Sequence, residues 1–168
     1  MMSVLADEWS AILVLAAGGL VVMDGWLWLR ARWLGLPMLD YGRVGLWMAG
    51  WPRGIWRLSP EAGPARVGHR IAGWALHLMT AVVFAALFLM WTGPAWLEAP
   101  ALWPALVFGA VTVLVPFLTM MPGLGSGWAG HRLPRPWRAR KHSLVTHLAF
   151  GLGLFAGGWG LQIVEAFR

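Results

Sequence analysis

Three residues able to carry chemistry stand isolated in long apolar runs: Asp24, His77 and His147. A carboxylate and two imidazoles make a donor set for iron, copper or zinc, and two histidines on separate helices suit the axial positions of a haem. One of them alone would suit the magnesium of a chlorin. Met120, at the end of another apolar run, adds a soft sulfur ligand. The same residue types recur in proton relays, and a histidine also serves as general acid or base. A structural use needs no ligand at all: an Asp24 carboxylate accepting from a histidine, completed by Thr80, Thr112 or Thr146, would fix helix register.

The depth of these residues follows from the cations around them. Twelve of the thirteen Lys and Arg residues fall in two blocks, Arg30 to Arg70 and Arg132 to Lys141. Asp24 is six residues from Arg30, His77 seven from Arg70 and His147 six from Lys141. At 1.5 Å per residue, each lies about 9 to 10 Å inside its basic flank. An ionisable group at the centre of a membrane span costs roughly 2.5 to 3.5 kcal/mol, and less toward the interface, so three at one level demand partners.

The elements that must hold them are membrane helices. Hydrophobic residues are 59% of the 168-residue chain and charged residues 12%, far from the roughly 25% charge of soluble domains. Apolar runs at about 9–29, 71–91, 102–121 and 143–164 are each long enough to cross a bilayer as a helix. Their continuous apolarity excludes the alternation of a barrel strand. The expected fold is an all-α, polytopic four-helix bundle, a single integral membrane domain over 1–168. Cysteine is absent, which excludes disulfides and thiolate metal sites. Asp7, Glu8 and Glu98 flank the ends opposite the basic blocks, so the positive-inside rule puts both termini outside and segments 30–70 and 122–142 in the cytoplasm. The acidic N-terminal flank and the absence of a small-residue cleavage site predict that the first span is retained. Trp9, Trp91, Trp96, Trp103 and Trp159 then mark the outer boundary, and Trp26, Trp28, Trp33, Trp74, Trp128 and Trp137 the inner one.

Helical spacing assigns faces. Gly73, His77, Ala81 and Ala85 form a small-residue stripe on the second span, and His147, Gly151 and Gly158 share a face of the fourth. The third aligns Ala105, Gly109, Thr112, Pro116 and Met120, with Pro116 placed to kink it. Ala17 and Asp24, seven apart, suggest a face on the first. In the first inner segment Val44, Trp47, Met48 and Trp51 predict a short interfacial helix, with Arg43 beside it. Arg43, Trp47, Trp51, Arg138 and Arg140 are the expected lipid contacts. Ser59 to Gly68 reads as an irregular linker. The glycines from Gly123 to Gly130 read as a turn, with a backbone nest for an anion as the alternative. No Walker ending follows them. His69, His131 and His142 rank below the three intramembrane candidates.

With these residues in place, the chain resembles an uncharacterised bacterial family of four-helix integral membrane proteins, classed as a domain of unknown function. The likeness runs from about Gly18 to Gly158. It rests on Val22-Met23-Asp24, Gly73-Trp74 with His77, Thr112 with Pro116-Phe117 and Met120, and Ser143-Leu144 with His147, Phe150-Gly151 and Gly153. Pro122, Gly125 and Gly127 match the family's turn after the third span. Met121 and Leu78 depart from the pattern, where a Gln and an aromatic are expected. The resemblance implies fold and location and brings no activity.

The resulting expectation is a multi-pass protein of the bacterial inner membrane, an accessory or scaffold subunit in contact with lipids and other membrane subunits or its own copies. Two rival readings stand beside it: a metal- or tetrapyrrole-binding protein using Asp24, His77, His147 and Met120, and a proton or small-solute transporter. Four helices with little chain outside them leave small room for a catalytic apparatus. The net charge of +6 is explained by topology and anionic lipid, without nucleic acid.

Overall fold

Each of the four apolar runs is a helix, and the first and last extend well into their basic flanks. The structure is a computed structural model that describes residues 2–167, with side chains from Glu8 onward; the Asp7 carboxylate of the acidic flank lies outside the described residues. Helix α1 is Met2–Leu34, α2 Tyr41–Met48, α3 Val67–Thr92, α4 the single turn Ala95–Glu98, α5 Leu102–Thr112, α6 Met121–Gly123 and α7 Pro136–Ala166. Among the described residues there is no strand. Among the described residues, four stretches are long and apolar enough to cross a membrane: Glu8–Leu34, Val67–Thr92, Leu102–Gly123 and Pro136–Ala166.

The ends of these helices explain where the expected boundaries fell short. α1 continues through Arg30 and Arg32, because backbone hydrogen bonding does not depend on side-chain polarity, and Gly35 at φ +62° follows its last residue. α7 starts at Pro136, whose missing N–H costs nothing in the first turn, so Arg138, Arg140 and Lys141 are helical residues. α3 ends on Thr92, whose hydroxyl donates to the Phe88 carbonyl at 3.0 Å, and Gly93 and Pro94 follow. The third span is interrupted as Pro116 suggested. Pro116 has no N–H to return to residue 112, and Pro116–Met120 forms a π turn between α5 and α6.

The chain divides into two compact units. The first comprises the chain through Leu36, Leu78–Val111 and Val145 onward. Its core gathers Leu15, Ala16, Ala81, Ala85, Phe88, Trp96, Ala105, Phe150 and Leu154. α7 crosses α1 at Gly153, where a Cβ on Gly18 would stand 2.5 Å from the Gly153 carbonyl oxygen and 3.2 Å from Gly157 Cα. It crosses α5 at Gly151, where a Cβ on Gly109 would stand 2.5 Å from the His147 carbonyl oxygen. The stripes of the second, third and fourth spans are therefore packing faces. Ala17 is exposed, and α1 turns Ala11, Leu15, Ala16 and Gly19 inward instead. Phe150 lies over Gly19, leaving no room for a side chain there. Phe88 meets Trp96 edge-on at 4.7 Å and Phe108 at 5.3 Å. Trp96 is thus a core residue and not part of an outer belt, and its Nε1 donates to the Ala101 carbonyl. Gln162 donates to the Leu97 carbonyl and ties the end of α7 to the α4 turn.

The second unit comprises Pro37–His77 and Thr112–Leu144. Asp40 caps α2, its carboxylate accepting from the backbone N–H of Gly42 at 2.9 Å and Arg43 at 3.2 Å. α2 then lies against the start of α3 at backbone distance: a Cβ on Gly45 would collide with the His69 carbonyl, and one on Gly73 with the Tyr41 carbonyl. Val44, Trp47 and Leu58 form the buried centre. The Leu58 N–H donates to the Gly123 carbonyl at 2.7 Å, which holds the segment after α2 to the end of α6.

Gly153→Val should lower thermal stability in mild detergent by about 1 to 3 kcal/mol or prevent folding, since the added carbons meet the Gly18 and Gly19 backbone. Gly160→Ala, which meets nothing within 4 Å, should leave the melting temperature unchanged or slightly raised.

Candidate functional site

The sequence candidates divide between the two units: Asp24 and His147 in the first, His77 and Met120 in the second. Asp24 is half-buried on α1. His147 is half-buried on α7, next to buried Thr146, and its carbonyl meets the face of Gly109. His77 packs in an aromatic group that spacing did not reveal. Its ring lies 4.9 Å from Tyr41 and 5.6 Å from Trp74, and Tyr41 and Trp74 are 4.1 Å apart. Tyr41, the sole tyrosine of the chain, is buried there at the start of α2. Met120 ends the π turn and packs against the cluster of Val44, Trp47 and Leu58, a hydrophobic use of its side chain. Among the described residues no three His, Asp or Glu side chains are grouped so as to hold a metal ion.

The expected lipid contacts also separate. Trp47 is only 8% exposed, so its place is the interior of the second unit and not a lipid surface. Its indole covers Gly123, where a side chain would overlap the ring, and its Nε1 donates to the Trp56 carbonyl at 2.8 Å. The helical face predicted from Val44 and Trp47 is real, but protein covers it, because the segment after α2 folds back over it. Trp51 lies beyond α2 in a 3-10 turn, Trp51–Arg53, is half-buried and meets Trp47 edge-on at 4.9 Å. Arg43 is half-buried and Arg138 exposed. Arg140 reaches back, its Nε donating to the Ala129 carbonyl at 3.0 Å. Ala129 holds a left-handed backbone at φ 46°, uncommon without glycine, and Arg140 secures that turn. The glycine-rich segment is thus a defined turn: His131 stacks over Gly127, and the Arg132 N–H donates to the Ser126 carbonyl.

A cavity of about 570 Å³ lies within the second unit, formed by α2, the linker after it and the first turn of α3. Its inner wall includes Trp47 and Leu58, both buried, and its outer wall includes exposed Arg53, Ile55 and Arg66. Half-buried His69 completes it. The His69 Nδ1 accepts the Arg66 backbone N–H at 3.1 Å, a side-chain cap of the start of α3 that leaves Nε2 as the protonated nitrogen. Among the described residues no Asp or Glu lines this cavity. Sequence reasoning ranked His69 low; its signal was the spacing of Arg66 and His69 at a helix start after a Pro/Gly linker.

These features define an all-helical protein with four candidate membrane spans, tight glycine crossings and a cationic, part-apolar cavity beside the start of one span. A family profile described as protein of unknown function (DUF2938) matches residues 13–161, and the chain belongs to that family. Comparison with curated proteins and with solved structures gives no match.

Trp47→Ala should destabilise the protein by about 3 to 5 kcal/mol, because it empties a buried indole site. Trp56→Ala should cost at most about 1 kcal/mol, since the acceptor of the Trp47 bond is a main-chain carbonyl and the Trp56 ring is exposed. Thermal denaturation in one detergent compares the two.

Proposed function

We propose that the protein is a small multi-pass protein of the bacterial inner membrane that acts as an accessory or scaffold subunit, with its termini outside and its basic segments in the cytoplasm. The observation that supports this best is the balance of covered and uncovered helix. Between 22% and 39% of each candidate span is buried within the chain, so most of its apolar surface is left for lipid or neighbouring subunits. Exposed Trp33, Trp103, Trp128 and Trp137 add large amphipathic side chains to the ends of these helices. A metal reading draws less support, since His77 packs against Tyr41 and Trp74 and, among the described residues, the candidate donors form no three-ligand group.

Purification in mild detergent should recover the protein with other membrane chains or as an oligomer, and a stable, isolated monomer would count against the scaffold role. Orientation can be read directly because the chain has no cysteine. Glu98→Cys should react with an impermeant maleimide in intact spheroplasts, and Glu61→Cys only after permeabilisation; the reverse pattern overturns the topology.

A further inference from the structure

We infer that the cavity of the second unit binds the phosphate-bearing headgroup of an anionic phospholipid. Three residues of its wall favour an anion: Arg53, Arg66 and His69, whose Nε2 is left as the donor nitrogen. Among the described residues no carboxylate forms an ion pair with Arg53 or Arg66, and none lines the cavity. Both guanidinium groups are therefore available for charge-assisted bonds to phosphate oxygens, the chemistry to which their planar fork is suited.

The rest of the wall decides the kind of anion. Leu46, Trp47, Ile55, Leu58 and Ala62 give an apolar side that an inorganic ion would not use. The volume of about 570 Å³ falls within the range of small-molecule pockets and far exceeds the needs of one phosphate. A headgroup with its glycerol and the first carbons of an acyl chain matches both parts. Position selects the lipid source. Arg66 stands one residue before α3, which is a candidate membrane span from Val67 onward. Where that span is embedded, its first turn lies at headgroup depth, and basic pockets at that depth bind anionic headgroups. The start of α3 adds the positive end of its helix dipole.

The inference rests on the reading of α3 as a membrane span, so the two are tested apart. Opposite labelling of Glu61→Cys and Glu98→Cys, which flank α3, reports on the span. Native mass spectrometry of the full chain in uncharged detergent, titrated with short-chain phosphatidylglycerol or phosphatidylcholine, reports on the cavity. Phosphatidylglycerol should bind about ten-fold or more tightly than phosphatidylcholine, whose phosphate is the same but whose quaternary ammonium is repelled by the two arginines. The double variant Arg53→Ala/Arg66→Ala should lose that preference. Ile55→Trp, which fills the cavity without changing charge, should weaken phosphatidylglycerol binding as well. The control Arg132→Ala/Arg135→Ala removes equal charge from exposed positions outside the cavity and should change affinity by less than about two-fold. Equal binding of the two lipids, an equal loss in the control, or full displacement by millimolar inorganic phosphate would overturn the assignment. The last of these would make it a free-anion site.

Discussion

Glycine-to-glycine backbone contact between helices is the constraint on which the structure depends. Lipid offers helices little hydrophobic reason to associate, so apolar spans hold together by dispersion and by hydrogen bonds that require close approach. α7 meets α1 through Gly18 and Gly153 and meets α5 through Gly109 and Gly151. α2 meets α3 through Gly45 and Gly73. At each crossing a single added carbon would collide with a carbonyl of the opposing helix, so these contacts set the spacing that all larger side chains must fill. Phe88 and Phe150 fill it in the first unit and Trp47 in the second.

This packing governs what the polar residues can do. His77 lies one turn beyond Gly73, and the close approach of α2 at Gly73 brings Tyr41 onto the His77 ring. The same crossing of Gly45 and His69 brings α2 to the first turn of α3 and so shapes the cavity that Arg66 and His69 line. A histidine that looked like a ligand is engaged by aromatic rings. One that ranked low lines a cavity beside two arginines.

Much of the fold was legible because its signals are local. Apolar length located the four spans, the small-residue stripes of the second, third and fourth spans marked their packing faces, and Pro116 located the break in the third. The inward face of α1 was not legible, since Leu15, Gly18 and Gly19 sit in a run that is apolar on every side. Trp47 and Trp96 were misplaced for a related reason. An indole near a helix end suits either an interface or a core, and only the neighbours, Gly123 for one and Gly158 for the other, decide which.

The sequence by itself determined the class of the protein, its four candidate spans and its separation of basic from acidic flanks. Those depend on composition along the chain. Only the tertiary structure decided which histidines are occupied and that Arg53, Arg66 and His69 surround one cavity. The linker of Pro and Gly residues between Trp51 and Val67 has no periodicity from which its return over α2 could be inferred. That return depends on the Leu58 bond to Gly123 and on the Trp47 bond to Trp56. The first joins segments far apart in the chain and the second spans only nine residues, and in both the partner is a main-chain carbonyl that no residue type announces.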